Sequence, residues 1–278
     1  MEMDFGYQIE EGDIAAFERD GVIVLRGIVG PSWREKLAAA VDREMTDPAE
    51  FSQDFDKDGR FHQGNQRWRV DPDVRDYVFN SDLPYAAAQL LRSSKVNLVC
   101  DQLFLKEPGT ADLPSPWHQD QVVFPTKGAN TISFWTSLDP ITLSTGAMEF
   151  IRGSHRWGRL FQPRRFSGEA IYPHVEGYEE TPDFNAQRDM YEILTWDLEP
   201  GDALAFAFTT VHSARGNASN QRRRRAYTIR YAGDGVSYYP HAATMKMFAG
   251  ANAKPGGRLD SELFPVVWPR SGAAARKP

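Results

Sequence analysis

The chain has 278 residues, of which 41% are hydrophobic and 25% charged, as in an ordinary globular protein. The 17 Phe, 10 Tyr and 7 Trp residues can bury a sizeable core, which excludes disorder as the dominant state. The formal net charge of -6 excludes a broad basic surface for nucleic acid or an anionic membrane. The single cysteine, Cys100, excludes an internal disulfide framework and a cysteine-based zinc site.

The N-terminal residues carry neither a basic region nor an apolar run, so we predict no signal peptide. No continuous apolar stretch approaches the ~18 residues of a membrane span. A lone thiol fits a reducing compartment. We therefore predict a cytoplasmic protein that binds neither nucleic acid nor membrane. The length alone leaves one large domain and two small ones both open.

The first hundred residues are predicted to be mixed, with helices leading. Ile14 and Phe17 are three positions apart, which is a helix spacing, and Gly21 supplies a stop. The pattern predicts helices over 13–20, from 31 onward and over 84–91, a short buried strand over 22–25 and a polar loop over 46–72.

From about residue 95 short β-like runs alternate with Gly, Pro and Asn turns. Strands are predicted over 96–105, 117–124, 131–138, 147–151, 203–208 and 226–231. The polar stretch 159–195 contains three prolines and is predicted to be an insertion, of the kind that often covers a site. Together these features predict a mainly β fold with flanking helices, in which the core is a double-stranded β-helix (jelly-roll, cupin-like).

A metal site is indicated by His118-Gln-Asp120. On a strand, residues i and i+2 face the same side, so the imidazole and the carboxylate converge. A second histidine from another strand would complete a 2-His-1-carboxylate triad, which leaves open positions and suits non-haem Fe(II) with a chelating co-substrate and oxygen. His212 ends an apolar strand that follows a Gly-Asp turn, and it is preferred to the histidines in loops and turns, namely His62, His155, His174 and His241.

Four consecutive arginines at 222–225 precede the last predicted strand. A solvated basic turn and a nucleic-acid patch are two interpretations. A third is that one arginine points inward and binds the distal carboxylate of a 2-oxo diacid bidentately. If the strand alternation extends back, Arg222 and Arg224 face one way and Arg223 and Arg225 the other.

Five motifs follow one another over about residues 100–232: Pro116–Asp120, Phe134–Asp139, Gly146–His155, Gly201–His212 and the Arg-x-Ala that ends at Ala226. In this order they resemble the phytanoyl-CoA dioxygenase family of Fe(II)/2-oxoglutarate-dependent oxygenases, and Phe17–Leu25 resembles that family's opening helix and strand. The resemblance implies that His118, Asp120 and His212 bind iron.

The resemblance also implies residues for 2-oxoglutarate. The Arg-x-Ala spacing selects Arg224, whereas counting from the distal histidine selects Arg223, so both remain candidates. Trp135 would lie beside the co-substrate or be a core aromatic residue. Lys106 and Gln102 precede the first ligand strand and could reach the co-substrate or the substrate, although a solvated strand edge fits Lys106 better.

The expected reaction uses O2 and 2-oxoglutarate, releases succinate and CO2, and modifies a small-molecule metabolite. Because related halogenases replace the carboxylate ligand with a small residue, Asp120 favours hydroxylation or another outcome of hydrogen abstraction over halogenation. Candidate substrate contacts are aromatic: Phe61, Trp68, Trp117, Phe124 and Tyr238, with Trp135 and Tyr239 also considered. The mixed segment 61–69 is either part of the substrate site or a surface loop.

The ligands of this predicted site are 94 positions apart and must meet in one barrel. We therefore predict a single oxygenase domain over 1–278. Its parts are a helical flanking layer at about 1–94, a jelly-roll core at about 95–235 with the insertion near 159–195, and a C-terminal extension at 236–278. Two alternatives remain: a metal-dependent jelly-roll enzyme of another class, such as an isomerase or a dioxygenase without co-substrate, and a non-enzymatic anion-binding module.

Overall fold

The four α-helices that the structure describes lie in the first ninety residues, and most of the strands follow them. The computed structural model describes residues 6–164, 174–251 and 253–270. The helices within these residues are α1 (Glu11–Asp20), α2 (Pro31–Thr46), α3 (Pro72–Asn80) and α4 (Leu83–Leu90). The strands are β1 (Val22–Leu25), β2 (Gln53–Asp54), β3 (Phe61–Asn65), β4 (Val96–Lys106), β5 (Ser115–His118), β6 (Thr126–Lys127), β7 (Thr131–Ser137), β8 (Met148–Ile151), β9 (Ile193–Leu194), β10 (Ala203–Phe206), β11 (His212–Ala214), β12 (Arg224–Ala232), β13 (Ser237–Tyr238) and β14 (Val266–Trp268).

Local chemistry explains where the predicted helices begin and end. Helix α1 starts with a reciprocal capping box between Glu10 and Asp13, and it ends at Gly21, whose φ of 79° is the left-handed conformation that glycine tolerates. Helix α2 starts with Pro31 in its first turn, where the missing N–H costs nothing. Helix α3 was not predicted; it begins at the last residue of the predicted loop, and the Asp71 carboxylate caps its first turn.

The strands form a large sheet, a small sheet and a two-stranded ribbon. The large sheet has the order β1-β10-β7-β12-β4-β3-β2, with β14 added beside β4. The small sheet has the order β5-β11-β8-β9, and β13 pairs with β6. The neighbours in each sheet are antiparallel, and most are distant in sequence, as the predicted jelly-roll core requires.

Period-two alternation gives the large sheet two different faces. On β7, Ile132 and Phe134 pack into a core shared with the helices, whereas Trp135 packs against residues of the small sheet. On β12, Tyr227 joins the helical core and Ala226 lies between the sheets. The fold therefore has three layers: helices, large sheet and small sheet.

Two local predictions are wrong. The polar segment 46–72 contains β2 and β3, and every residue of β3 is buried, because its polar side chains bond to one another and to α2. The predicted strand over 117–124 ends at His118, and a short 3-10 helix follows over Asp120–Val123. Gln119 between them is extended, so the His-x-Asp spacing still brings both side chains to one side.

The C-terminal part packs onto the barrel. Strand β14 pairs with β4, and Phe248 and Phe264 form a cluster with Phe124 and Tyr238. Part of the predicted insertion, 165–173, lies outside the described residues. Among the residues that are described, no helix combines the length and the apolar character needed to cross a membrane.

Candidate metal centre

Two histidines and one aspartate meet between the sheets. His118 ends β5 and His212 begins β11, and the two residues lie directly opposite each other in the antiparallel pairing of these strands. Their rings are 4.2 Å apart between centroids. Asp120 completes the group, in which the potential ligand atoms all lie within 4.8 Å of one another. Within 6–164, 174–251 and 253–270, no other group of three His, Cys, Asp or Glu side chains is arranged to hold a metal.

Backbone carbonyls fix the orientation of both imidazoles. His118 donates from Nδ1 to the carbonyl of Pro116 at 2.7 Å, and His212 donates from Nδ1 to the carbonyl of Thr210 at 2.9 Å. With the proton on Nδ1, each ring presents the lone pair of Nε2 to the centre of the group. This pattern is typical of histidines that bind metals.

The protonation states also suit a metal. Burial lowers the pKa of His212 to about 3 and that of His118 below its usual value, so both rings are neutral at pH 7. Burial alone would raise the pKa of the Asp120 carboxyl, but the charge of Arg230 and the neighbouring histidines hold it well below its usual range. Two neutral imidazoles and one carboxylate are the donor set of a non-haem Fe(II) site.

Arg230 on β12 was not predicted to be a site residue. Its guanidinium donates from Nε to Asp120 Oδ2 at 2.9 Å and from Nη2 to Asp120 Oδ1 at 3.1 Å. Ser133 also donates to Oδ2, at 2.7 Å. A signal for Arg230 was available, because the alternation that turns Arg224 inward also turns the residue six positions later inward.

Arg224 and Arg223 have different environments. Arg224 is 2% exposed and lies with Trp135, Ser213 and His212 on the wall of a small cavity beside the ligands. Its Cζ is 5.4 Å from the centroid of the Trp135 ring, and its buried Nε has no hydrogen-bond partner within the described part of the chain. Arg223 is exposed and pairs with Glu107 at 3.2 Å. A buried cation with a free Nε donor suits the distal carboxylate of a bound diacid.

Lys106 is not at a solvated strand edge, which corrects the preferred interpretation. It is 0% exposed, directly opposite Arg224 in the β4–β12 pairing. Its Nζ donates to the carbonyl of Arg215 at 3.1 Å and lies 4.4 Å from the centroid of the Phe61 ring. Burial, and then the charge of Arg224, lowers the pKa of the Lys106 amine well below its usual value. Two basic groups therefore lie side by side next to the small cavity.

A larger cavity of about 310 Å³ opens on the other side of His118 and Asp120. Its apolar wall consists of Phe55, Phe104, Val122, Val123, Phe124 and Met245. Its polar wall consists of Gln53, Asp54, Gln63, Gln102, Gln119, Arg164 and Arg230. The two cavities share His118, Phe104 and Arg230, so the three ligand side chains separate a small basic space from a larger mixed one.

Among the aromatic residues predicted to contact substrate, Phe124 lines this cavity and the other four do not. Phe61 is buried beneath the Lys106 amine, and Trp68 packs in the core below the helices. Trp117 packs on Phe184, and Tyr238 packs on Phe264. Large aromatic side chains contribute as readily to cores as to binding sites, and a substrate contact by these four residues stays a prediction. Tyr239, which was also considered, is exposed.

A row of hydrogen-bonded side chains crosses the large sheet from the metal centre to its edge. Arg230 donates to the Gln102 carbonyl, and the Gln102 amide donates to Asn65. Gln63 also donates to Asn65, at 2.9 Å, and the Gln53 amide donates to Gln63 at 3.1 Å. In this row, Arg230–Gln102–Asn65–Gln63–Gln53, every member except Asn65 lines the polar side of the large cavity. Gln102, a predicted site residue, thus contacts Arg230 and lines the larger cavity.

A family model for phytanoyl-CoA dioxygenase (PhyH) matches residues 17–226, which is most of the chain. The chain belongs to the PhyH family. Sequence relatives of this PhyH-family protein include the multifunctional dioxygenase prhA of Penicillium brasilianum, which is 22% identical over 240 residues, covering 77% of this chain and 69% of that protein.

Solved structures of other proteins have the same fold. The non-haem α-ketoglutarate-dependent carbocyclase SnoK from nogalamycin biosynthesis has a TM-score of 0.74 and 19% identity, covering 93% of this chain and 96% of that one. EctD from S. alaskensis, solved with 2-oxoglutarate and 5-hydroxyectoine, has a TM-score of 0.65 and 20% identity, covering 97% of this chain and 86% of that one. The predicted jelly-roll core and family are therefore confirmed.

Fe(II) and 2-oxoglutarate are the cofactor and co-substrate of this PhyH-family protein, as predicted. The family supplies this assignment, and the His118–Asp120–His212 group fits Fe(II) in number, type and protonation state.

Proposed function

We propose that this PhyH-family protein is an oxygenase that hydroxylates a small-molecule metabolite and releases succinate and CO2. The observation that carries the proposal is the juxtaposition of the His118–Asp120–His212 group with the buried guanidinium of Arg224, whose Nε has no hydrogen-bond partner within the described residues. A metal-binding group alone would fit many reactions, whereas a buried cation beside it fits a chelating diacid.

Each residue has a separate task in this proposal. His118, Asp120 and His212 would hold the iron, and Arg224 would bind the distal carboxylate of 2-oxoglutarate. Trp135 would flank the co-substrate and keep Arg224 away from water, since its ring lies under the guanidinium. When bound, iron and 2-oxoglutarate activate oxygen, and this chemistry belongs to the cofactor. The chain supplies position, charge and a water-poor pocket.

Lys106 would assist Arg224. Its amine, whose pKa is lowered by burial and by the charge of Arg224, lies in the adjacent position of the sheet. A dicarboxylate that enters the small cavity would raise the pKa of Lys106 again, because a nearby anion favours the protonated amine. The second predicted arginine, Arg223, is on the surface and has no role in this proposal.

The substrate class follows from the larger cavity. A volume of about 310 Å³ is at the small end for ligand sites, which argues for a small metabolite and against a whole acyl-CoA. One wall is aromatic and aliphatic, and the opposite wall presents the amides of Gln53, Gln63 and Gln102. We infer a substrate with one apolar face and one edge of hydroxyl or carbonyl groups.

Hydroxylation is the proposed outcome because Asp120 occupies the carboxylate position. The similar structures include a carbocyclase as well as a complex with 5-hydroxyectoine, so other outcomes need to be tested alongside it. Products from a panel of small oxygenated metabolites, analysed by mass spectrometry, would distinguish a gain of one oxygen from a loss of two hydrogens or from isomerisation.

The central experiment measures succinate formed from 2-oxoglutarate with added Fe(II). Wild-type protein is expected to turn over 2-oxoglutarate, and His118→Ala and Asp120→Ala are expected to abolish iron-dependent turnover. Metal binding that both substitutions leave unchanged would contradict the proposed ligands.

Arg224→Met and Arg223→Met are a matched pair for the co-substrate site. Loss of a buried charged partner typically costs 2–5 kcal/mol, so Arg224→Met is expected to raise the Kd for 2-oxoglutarate by roughly 30-fold or more. Arg223→Met removes the same group from the surface and is expected to leave this Kd almost unchanged. If neither variant alters 2-oxoglutarate binding, a jelly-roll enzyme of another class becomes the better interpretation.

A further inference from the structure

The proposed function leaves one prominent feature unexplained, which is the ion pair between Arg230 and the candidate metal ligand Asp120. Both residues are deeply buried, with Arg230 4% and Asp120 3% exposed. The guanidinium and the carboxylate meet in a two-bond fork, through Nε to Oδ2 and through Nη2 to Oδ1. Forming such a pair requires both charges to be desolvated, and hydrophobic residues often stabilise a core equally well. The pair therefore calls for a functional explanation.

The two oxygens of Asp120 are not equivalent. Oδ2 accepts from Ser133 Oγ at 2.7 Å and from Arg230 Nε at 2.9 Å, which uses both of its lone pairs. Oδ1 accepts one bond, from Arg230 Nη2, at the longer distance of 3.1 Å. Oδ1 is also the oxygen next to His212, 4.0 Å from Nε2. One oxygen is thus occupied by the protein and the other faces the histidines.

We infer that Arg230 is a positioning residue that, with Ser133, restricts Asp120 to binding the metal through Oδ1 alone. The inference rests on the proposed function, because it assigns Arg230 a task at the iron site. A six-coordinate metal with three protein ligand atoms has three positions left, which 2-oxoglutarate and oxygen together require. If Asp120 bound through both oxygens, one of those positions would be lost.

The row of amides explains why Arg230 keeps its orientation. Gln102 accepts from Nη1, the one guanidinium nitrogen that does not contact Asp120, and Asn65 in turn accepts from Gln102. Phe124 covers the guanidinium, with its ring centroid 5.0 Å from Cζ. The guanidinium is planar and its donors are in fixed positions, so contacts to all three nitrogens hold the group in one orientation toward Asp120. A lysine would supply the charge without this geometry.

The test measures the binding of Co(II), an oxygen-stable substitute for Fe(II), and then of 2-oxoglutarate to the Co(II)-loaded protein. Arg230→Lys retains the charge and loses the fork, and Ser133→Ala leaves one lone pair of Oδ2 without its donor. For Arg230→Lys we expect the Kd for 2-oxoglutarate to rise about 10- to 100-fold, which is the size of the loss in metal affinity or activity when a residue that orients a metal ligand is replaced. The Kd for Co(II) should change much less, since a carboxylate bound through two oxygens still holds the metal.

The visible spectrum of bound Co(II) gives a second readout, because its band intensities and positions depend on coordination. Addition of 2-oxoglutarate should alter the spectrum of Arg230→Lys differently from that of the wild type. Ser133→Ala should change the Kd for 2-oxoglutarate and the Co(II) spectrum in the same direction as Arg230→Lys does, but by less. Thermal denaturation of the loaded proteins shows that each variant is folded.

Arg67→Lys is the control, since Arg67 is buried to a similar degree and pairs with Glu44, away from the metal centre. It should leave both Kd values and the spectrum as in the wild type. If Arg230→Lys binds Co(II) and 2-oxoglutarate as the wild type does, or if both affinities fall in parallel, the inference is overturned. Failure of the wild type itself to bind 2-oxoglutarate would instead overturn the proposed function.

Discussion

Asp101 shows how one buried carboxyl affects stability outside the metal centre. It lies on β4, is 0% exposed, and accepts a hydrogen bond from the Tyr227 hydroxyl at 2.6 Å. Burial outweighs this bond and raises the pKa of the Asp101 carboxyl to about 6. The carboxyl is therefore charged at pH 7 at some cost to the folded state.

We predict that Asp101→Asn makes stability less dependent on pH between about 4 and 6. In the unfolded chain the carboxyl titrates near ~3.9, so in this range the folded protein binds more protons and loses stability as the pH rises. A difference of about two pH units corresponds to roughly 2–3 kcal/mol, which the amide would remove while still accepting from Tyr227.

Urea denaturation at several pH values measures this effect. The variant should gain stability over the wild type progressively from pH 4 to pH 6 and keep that gain at pH 7. Asp112→Asn is the control, because Asp112 is an exposed residue in a loop. Parallel pH profiles for wild type and Asp101→Asn would refute the prediction.

At the residue scale, what could be predicted depended on sequence spacing. His118 and Asp120 were found because they are two positions apart, and His212 because it follows an apolar strand. Arg230 was missed because its partner is 110 positions away: the alternation along β12 turns Arg230 inward but does not show which residue it meets. Gln53 and Gln63, on the polar wall of the larger cavity, were missed for the same reason: strand pairing, not spacing, brings them there.

At the scale of elements, the connection from β11 to β12 links the strand of His212 to the strand of Arg224. Gly216 in this connection packs directly against the backbone of another loop. A Cβ at this position would overlap the carbonyl oxygens of Thr110 and Ala111. Backbone atoms cannot move aside as a flexible side chain can, so the glycine is required for close approach and not for an unusual φ.

Gly216→Ala is therefore expected to destabilise the protein by about 1–3 kcal/mol or more, since overpacking displaces backbone. It should also weaken 2-oxoglutarate binding, because the displaced segment leads into Arg224. Denaturant unfolding and titration with 2-oxoglutarate measure the two effects. Gly12→Ala is the matched control: nothing lies within 4 Å of the added methyl, and alanine is the better helix former. A stability equal to the wild type for Gly216→Ala would contradict the prediction.

Elements with a periodic apolar pattern were predicted well, and polar ones were not. Strand β3 was predicted as loop because His62, Gln63 and Asn65 are polar. In the fold His62 lies between Asp54 and Glu44, at 2.7 and 3.2 Å, and Gln63 bonds to Asn65. Buried polar groups that satisfy one another leave no sequence signal that distinguishes them from surface residues.

At the scale of the whole molecule, the helical layer and the large sheet share one core. Leu37 and Val78 from helices join Phe134 and Tyr231 from the sheet in a single cluster of buried side chains. Tyr231 also donates from its hydroxyl to the backbone carbonyl of Val78 at 3.0 Å. If the helical layer separated from the large sheet, it would expose to water the apolar face that it buries against that sheet.

We therefore predict that residues 1–94 and the barrel unfold together, as one domain. Thermal unfolding followed by far-ultraviolet circular dichroism and by tryptophan fluorescence should give coincident transitions, and the calorimetric and van't Hoff enthalpies should agree. Two resolved transitions would show that the helical layer is a separate unit. Tyr231→Phe, which removes one bond between the layers, should lower the midpoint without splitting the transition.

The pairing of His118 with His212 has a consequence for how the metal is exchanged. Strand hydrogen bonds place the two residues opposite each other, and the carbonyls of Pro116 and Thr210 orient the rings, so no metal is needed to assemble them. A chelator should accordingly strip the ion while the circular dichroism spectrum keeps its β signal. Added Fe(II) should then restore 2-oxoglutarate binding without a denaturation step, and loss of the β signal on chelation would contradict this. Occupancy of the site would then follow the supply of iron around the folded protein, and reloading would be limited by access and not by refolding.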